Sequence, residues 1–452
     1  MNTILITVDA LRADHLEEYG YDRNTMPGLS HVTTSGMTFK NAFANGPYTR
    51  VSVPAIHSSV RLAHANLSSL PTISGELSRA GMTTACIGTR TGFKSAEGSL
   101  HFDTYVTHGR DEYHKKSRQQ QPKHVKIEKQ LTSAVSRATQ ISPKLHQVTE
   151  RIYNSLPISE SSFEFKGYTS AKVVTDSAVD WLTEHSGDDF FLWLHYMEGH
   201  RPYGVHNNDP KYTSEVSNDR IRKLMKKAGT NPTDMTSEEH ELVVDLYDSD
   251  LKYCSSQLDR LFSHLKDLSL WQNTNIIFTS DHGEEFHDHG MYFHRNLPYD
   301  ELLHVPLIVY QPNNEREEEI LEQRELVDVA PTILDFHNVK SPDSFEGVNL
   351  LSGESRKVIA TGSQQNVDPV VAGRWDGYKY IYTPNKEYLY DLSASSREVK
   401  DISDEREDMS DRFRQEIPKK YFDEEIKEEL REPEDEVDRE RLKALGYLEV
   451  DE

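Results

Sequence analysis

Short apolar runs recur along the first 350 residues and predict buried β-strands. The first run, TILITVDA, is rich in β-branched residues and ends in Asp9 and Ala10. Similar runs lie at Thr83–Gly88, Phe190–His195, Asn275–Ser280 and Val305–Tyr310. Continuous apolar runs of this length are typical of strands that are buried on both faces of a parallel sheet.

Segments with helical periodicity separate these runs. Ser170–Glu184 and Asp245–Leu268 place apolar residues three and four positions apart, and LRADHLEEY, directly after the first run, is also helical in pattern. Strands that alternate with helices favour a mostly parallel sheet with helices on both faces. The predicted fold class is therefore α/β.

Two segments depart from this alternation. Residues 110–165 are polar and locally basic, and we interpret them as an insertion in a large N-terminal domain of residues 1–349. A solvated flap and a basic surface that recruits an anionic substrate both fit this composition. After residue 349 the pattern predicts short antiparallel strands and then a charged helical tail, so residues 350–452 are expected to form a small C-terminal subdomain.

The charge balance limits the partners of the protein. Lys and Arg together number 51 and Asp and Glu 75, which gives a formal net charge of −24. A surface this negative repels the phosphates of nucleic acids, so we expect no nucleic-acid partner. The acidity fits adaptation to a salt-rich, halophilic cytoplasm as well as an ordinary acidic protein.

The two cysteines and the short apolar runs bear on the compartment. Cys86 and Cys254 are too few and too far apart for a disulfide framework or a thiolate zinc site, and we expect both to be buried as small apolar residues. Ile4–Val8 is too short for the core of a signal peptide, and no window approaches the length of a membrane span. The sequence therefore predicts a cytoplasmic protein.

Ligand-type side chains follow two of the predicted strands. Asp281 and His282 come directly after one apolar run, and Asp9 ends another. Because parallel strands bring their carboxyl ends to one crevice, these side chains could bind a single cation. The alternative is that Asp9, or Asp14, only caps the following helix.

Longer motifs resemble those of the sulfatases, a branch of the alkaline phosphatase superfamily, and in particular the haloarchaeal type. The N-terminal signature runs from VDALRADHLEEYGYDRNTMPG to FANGPYTRVSVPAI. FFLWLHYMEGHRPY, TSDHGEEFHDHG, FHRNLPYDELLHVPLIVY, VDVAPTILD, EYLYDLSASSREVKDI and LKALGYLE follow in the family's order and cover almost the whole chain. The resemblance implies an α/β sandwich like that of alkaline phosphatase, with a small C-terminal antiparallel sheet.

The same resemblance implies one divalent metal ion, held by Asp9, Asp281 and His282. Many sulfatases carry a second acidic residue where this chain has Ala10, so the site has fewer ligands here. Ca²⁺ is the ion usual in sulfatases, whereas Mn²⁺, Mg²⁺ or Zn²⁺ would suit a phosphoesterase.

In sulfatases a Cys or Ser four residues before an Arg is oxidised to formylglycine. SVPAI puts Ser52 at this position, but Ile56 stands where the Arg should be, so the modification signal is incomplete. An unmodified Ser52 could attack as a metal-activated alkoxide, and Thr49 is the competing nucleophile. Arg50 lies beside both hydroxyls in the sequence, and its guanidinium suits the oxygens of a sulfate or phosphate group.

Three histidines complete the candidate site. His200, in MEGHRPY, matches the family's active-site His and is a candidate proton donor to the leaving group. His294 falls where relatives bind the oxygens of the transferred group, and His289 in the same loop is a further candidate. His195 lies within a predicted strand, so we interpret it as a hydrogen-bonded core residue.

These residues leave three functions open. The first is hydrolysis of a sulfate ester of a small molecule, glycan or lipid. The second is hydrolysis of a phosphate mono- or diester, or transfer of phosphoglycerol, which the departures at Ala10 and Ile56 favour. The third is an inactive homologue that only binds.

Overall fold

The computed structural model describes residues 1–62, 67–89, 99–108, 169–204, 211–294, 297–312, 314, 316–364, 367–393 and 397–422. The chain divides into two compact units, one of residues 1–107 and 169–452 and one of residues 108–168. The predicted insertion at 110–165 falls in the second unit and lies outside the described residues, as does the predicted charged tail.

The strands of the described residues are β1 (Asn2–Val8), β2 (Met37–Phe39), β3 (Ala42–Phe43), β4 (Thr83–Thr89), β5 (Thr104–His108), β6 (Phe190–Tyr196), β7 (Thr274–Thr279), β8 (Glu285–Phe286), β9 (Tyr292–Phe293), β10 (His304–Val305), β11 (Leu307–Tyr310), β12 (Glu318–Ile320), β13 (Arg324–Glu325), β14 (Val358–Gln364), β15 (Val367–Trp375), β16 (Tyr378–Tyr382) and β17 (Glu387–Asp391). The helices are α1 (Ser30–Thr33), α2 (Thr49–Ser58), α3 (Ile73–Arg79), α4 (Ala171–Glu184), α5 (Asn218–Thr230), α6 (Ser237–Asp267), α7 (Asp300–Leu303), α8 (Val329–Phe336) and α9 (Glu407–Glu416).

An eight-stranded sheet in the order β12-β2-β11-β7-β1-β6-β4-β5 forms the centre of the fold. β1 pairs in parallel with both β6 and β7, and β4 pairs in parallel with β6. Every residue of β1, β6 and β7 is buried, as the continuous apolar runs predicted. The mostly parallel α/β sheet expected from the sequence is confirmed.

Three predicted elements differ in detail. The run Val305–Tyr310 is divided at Pro306, which has no N–H to donate to a ladder: β10 pairs with β3, while β11 runs antiparallel to β7. α6 begins eight residues before the predicted start because Thr236 and Glu239 form a capping box. LRADHLEEY forms only short 3-10 turns, at Ala13–His15 and Glu17–Tyr19, instead of a helix.

A second, smaller sheet follows residue 349. β14, β15, β16 and β17 are antiparallel neighbours in chain order, which confirms the predicted small sheet. One face packs against α9, with Trp375 stacked on Phe413 at a centroid distance of 4.1 Å. The proposed boundary at residue 349 stays a prediction.

Two further expectations concern exposure and membranes. Cys86 and Cys254 are fully buried, as predicted. Among the helices that the structure describes, none combines the length and the apolar character needed to cross a bilayer. The cytoplasmic location stays a prediction.

His57 of α2 is fully buried among aromatic rings. Its ring centroid lies 4.2 Å from that of Trp193 and 5.7 Å from that of Phe102. Neither ring nitrogen has a hydrogen-bond partner among the described residues. Burial lowers the pKa of His57 from its ordinary value of 6.5 to about 3, so the imidazole is neutral in the folded protein at neutral pH.

We expect His57 to reduce stability in mild acid. The unfolded chain binds a proton at this residue below pH 6.5 and the folded chain does not, so the free energy of unfolding falls by about 2 kcal/mol between pH 7 and pH 5 through this group alone. His57→Phe keeps an aromatic ring and removes the titration. Urea denaturation at both pH values should show a loss smaller by about that amount in the variant, and equal losses in both proteins would contradict the prediction.

Candidate active site

The carboxyl ends of β1, β6 and β7 place the predicted ligands next to one another. Thr7 of β1 lies opposite His195 of β6 and Thr279 of β7. Asp9 is two residues beyond Thr7 and Asp281 is two residues beyond Thr279, so both lie at the same level of the sheet. Asp9, Asp281 and His195 are all buried. The strand ends therefore converge as the sequence predicted.

The side chains at these strand ends form one cluster of ligand atoms. Asp9, His195 and Asp281 each offer an atom within 4.8 Å of the other two. His282 Nε2 lies 3.4 Å from Asp9 Oδ1 and 3.7 Å from Asp281 Oδ2. Both of these carboxylate oxygens are buried and accept no hydrogen bond from the described residues. Two facing carboxylates with such oxygens fit a divalent cation, because it supplies the missing positive charge.

The protonation of the cluster is consistent with metal binding. His282 Nδ1 lies 2.7 Å from the main-chain oxygen of Gly283 and donates to it, so a metal ion would be bound through Nε2, which faces the carboxylates. Burial and the charge of Asp9 raise the pKa of Asp281. Burial acts in the same direction on Asp9, but the neighbouring His200, His195 and His282 hold the pKa of Asp9 below its usual range.

His195 has a part in this cluster that the sequence reasoning missed. It is buried and its Nδ1 lies 2.7 Å from Thr7 Oγ1, in agreement with a hydrogen-bonded core residue. Its Nε2 also lies 3.4 Å from Asp9 Oδ2. The available signal was register: a residue near the end of one parallel strand faces the end of its neighbour.

The two candidate hydroxyls occupy different positions on α2. Thr49 is the first residue of the helix, and its Oγ1 lies 3.2 Å from His282 Nε2 and 3.4 Å from Asp9 Oδ2. Ser52, one turn later, is fully buried and donates its hydroxyl to the main-chain oxygen of Asp281. The structure thus brings Thr49, and not Ser52, to the carboxylates. Arg50 is exposed next to Thr49.

His200 and His294 line the same site. The ring of His294 lies 4.8 Å from that of His282 and 5.1 Å from that of His200, centroid to centroid. His200 Nδ1 donates to the main-chain oxygen of Arg201 at 2.6 Å. Burial lowers the pKa of His200 to about 4, so this imidazole is neutral at pH 7 in the ligand-free protein.

Glu284 is a second residue that the sequence reasoning missed. Its Oε1 lies 3.0 Å from His294 Nδ1, and its Oε2 accepts a hydrogen bond of 2.6 Å from the hydroxyl of Tyr203. Burial raises the pKa of Glu284 to about 7. Its place directly after the Asp-His-Gly tripeptide was the only signal. Glu284 holds the ring of His294 in a fixed orientation.

His289 does not join this group. Its Nε2 lies 3.4 Å from Glu301 Oε1, and its ring stacks on Tyr299 with centroids 3.6 Å apart. The histidines of the loop after β7 therefore lie in two separate places, His294 next to His282 and His289 next to Glu301.

Comparison with known proteins identifies the family. A protein-family model described as Sulfatase matches residues 1–339. An arylsulfatase of Clostridium perfringens (strain 13 / Type A) is 23% identical over an alignment of 389 residues, and the match covers 77% of this chain and 77% of that protein.

Solved structures share the fold. A phosphonate monoester hydrolase of Agrobacterium radiobacter superposes with a TM-score of 0.66 at 16% identity, over 92% of this chain and 94% of the other. The protein BT4656, solved with its substrate D-glucosamine-2-N,6-O-disulfate, superposes with a TM-score of 0.65 at 18% identity, over 93% and 98% of the two chains. The fold predicted from the resemblance is thereby confirmed. Because the family model covers three quarters of its length, the chain belongs to the sulfatase family.

Proposed function

We propose that this sulfatase-family protein hydrolyses sulfate esters at the centre formed by Asp9, Asp281 and His282, with Thr49 as the nucleophile. The observation that carries the proposal is the position of Thr49 Oγ1, 3.2 Å from His282 Nε2 and 3.4 Å from Asp9 Oδ2. A hydroxyl this close to the candidate ligands is within reach of a shared metal ion. The name of the Clostridium perfringens relative supports a sulfate ester as the substrate.

When bound, a divalent ion supplies a Lewis acid that lowers the pKa of a coordinated hydroxyl and offsets the charge of the transferred group. Asp9, Asp281 and His282 would hold it, with His195 beside Asp9. The resemblance implied Ca²⁺, which prefers a shell made only of oxygens. Carboxylates combined with imidazole favour Mn²⁺ or Zn²⁺ instead, and we propose one of these as the resident ion.

The chain's own residues divide the remaining work. Thr49 Oγ1 loses its proton to solvent and attacks the sulfur, so a bond forms between them while the bond from sulfur to the alcohol oxygen breaks. The departing alcohol takes a proton from His200 Nε2, which an adjacent anionic ester helps to protonate. His294, oriented by Glu284, binds oxygens of the transferred group. Water then attacks the sulfur and the bond from sulfur to Thr49 Oγ1 breaks. One proton of the water returns to His200, the other restores the hydroxyl of Thr49, and sulfate leaves.

Formylglycine has no part in this proposal. Oxidation of a threonine side chain gives a ketone and not the aldehyde of formylglycine. Neither candidate has the Arg four residues later: Val53 follows Thr49 and Ile56 follows Ser52, and both are buried in the core. The hydroxyl of Ser52 is itself bonded to the main chain of Asp281.

A phosphate or phosphonate ester is the second candidate substrate. The observation that favours it is again the unmodified hydroxyl of Thr49. Attack by this hydroxyl forms an ester between Thr49 and the transferred group, and a second nucleophile must then cleave that ester at sulfur or phosphorus. Superfamily phosphatases work through such an ester, and an acceptor alcohol in place of water would give the phosphoglycerol transfer considered above.

Replacing the two hydroxyls separately tests the assignment of the nucleophile. Thr49→Ala should lower kcat at least about 10³-fold, because covalent catalysis is lost. Ser52→Ala removes one structural hydrogen bond and should change kcat by less than about tenfold. Steady-state kinetics with an aryl sulfate, at equal metal content, measures both. A larger loss in the Ser52 variant would assign the reaction to Ser52.

Paired substrates test the transferred group. We expect a higher kcat/KM for 4-nitrophenyl sulfate than for 4-nitrophenyl phosphate or phenylphosphonate, measured with the Mn²⁺-loaded and Zn²⁺-loaded protein. The reverse order would establish the second candidate. Absence of turnover with all three substrates, in a folded protein that binds the metal, would favour the inactive homologue.

Gly199 offers a test of the metal centre that changes no ligand. A Cβ at this position would lie 2.3 Å from the main-chain oxygen of Asp9, so Gly199→Ala must displace the backbone that carries this ligand. We expect at least tenfold weaker binding of Mn²⁺, measured by calorimetry on the chelator-treated protein. Gly187→Ala is the matched control, since a Cβ there meets no atom within 4 Å. Equal affinities in the two variants would contradict the proposed ligand set.

A further inference from the structure

We propose that His289, Glu301 and Glu398 form a second cation site, separate from the active site, for a first-row divalent ion such as Zn²⁺ or Mn²⁺. Each residue offers a ligand atom, and the three atoms lie within 4.8 Å of one another. One imidazole nitrogen with two carboxylates is a donor set that these ions accept. None of the three residues belongs to the cluster around Asp9.

Glu301 separates this cluster from an ordinary group of surface acids. Its side chain is only 8% exposed, and its Oε1 accepts no hydrogen bond from the described residues. The nearest polar partner shown for this oxygen is His289 Nε2, at 3.4 Å. A buried carboxylate oxygen without a donor is costly unless a positive charge lies against it. The oxygen and the imidazole nitrogen are positioned to share one ion.

The second carboxylate is held in place by the C-terminal sheet. Glu398 Oε1 accepts hydrogen bonds from the main-chain N–H of Asp300 at 2.8 Å and lies 3.1 Å from Lys379 Nζ. Both donors meet the same oxygen, so a cation would bind through the other one. The side chain is 1% exposed and therefore has little freedom to move.

The local charge balance leaves room for a cation. Lys379 and Arg374 are the basic residues bonded to Asp300, at 2.6 and 3.0 Å, and with Glu398 these four side chains sum to zero. Glu301 is a further acid beside these four, and in its ionised form it would add one negative charge. Bound metal would offset it without requiring a proton on the carboxylate.

His289 is oriented for this role by one contact to its ring and one to its backbone. The ring stacks on Tyr299 at an interplanar angle of 13°, and the main-chain N–H donates to Glu285 Oε1 at 3.0 Å. A ligand that is already oriented loses little entropy on binding.

The location suggests what the ion does. Gly283, next to His282, donates its N–H to the main-chain oxygen of Leu302 at 2.8 Å, and a Cβ on Gly283 would lie 2.0 Å from the main-chain oxygen of Glu301. The backbone of Glu301, whose side chain belongs to the second site, therefore packs against the turn that carries His282. An ion in the second site would join α7, the segment that follows β17 and the loop that leads to His294.

Metal stoichiometry tests the proposal without reference to turnover. The full chain is stripped with a chelator, reloaded with Zn²⁺ or Mn²⁺, dialysed and analysed by mass spectrometry of the elements. We expect two ions per chain in the wild type, one in Asp9→Asn, one in Glu301→Gln and none in the double variant. Glu405→Gln, at an exposed acid paired with Lys400, is the matched control and should keep two.

Cobalt provides a second readout that does not depend on the fold of the Glu301 variant. In Asp9→Asn, Co²⁺ should occupy only the second site and give visible d–d absorption, which His289→Phe should abolish while it keeps the ring stacked on Tyr299. A folded Asp9→Asn protein that binds no ion, or a wild type and Glu301→Gln that bind equal numbers, would overturn the proposal. If Asp9→Asn binds no ion while Glu301→Gln binds as many ions as the wild type, the active site holds the only ion and the second site does not exist.

Discussion

The approach of two buried carboxylates at the ends of neighbouring parallel strands is the constraint on which the rest of the site depends. The parallel pairing of β1 with β7 fixes Asp9 and Asp281 side by side, and burial keeps water from screening their charges. Such a pair is stable only with a proton or a cation between its members. The other residues around the site either contribute to this charge balance or hold the backbone that carries the two carboxylates.

Glycines and histidines divide these two tasks. Gly199 and Gly283 allow backbone segments to approach so closely that any side chain would collide with a main-chain oxygen, at Asp9 and at Glu301 respectively. His282 and His195 each place Nε2 3.4 Å from an oxygen of Asp9, so nitrogen atoms stand beside the carboxylates on both sides. The hydrogen bond from His282 to Gly283 links both tasks, because the same turn that needs a glycine also fixes the tautomer of the ligand.

The sequence predicted the parts of the structure that depend on periodicity and strand ends. Asp9, Asp281 and His282 were found because apolar runs lead straight into them, and the fold class followed from the alternation of strands and helices. The relation between Thr49 and Ser52 could not be predicted in this way. The two hydroxyls are one helical turn apart, and only the packing of α2 decides which of them faces the carboxylates. His195 and Glu284 depend on register and on a loop conformation, neither of which a single sequence specifies.

The replacement of an acid by Ala10 is consistent with the ion proposed here. Ala10 has a left-handed backbone with φ of 57°, its N–H donates to Asp281 Oδ1 at 3.3 Å, and its carbonyl accepts a hydrogen bond of 2.9 Å from Tyr247. The position is therefore used to hold the backbone and one carboxylate, and it supplies no charge. A site with two carboxylates and one or two imidazoles carries one negative charge fewer than the same site with an acid at position 10, and it offers fewer oxygen donors than a full Ca²⁺ shell contains. A smaller ion that accepts nitrogen matches both properties, so the departure at position 10 and the presence of His195 have the same physical consequence.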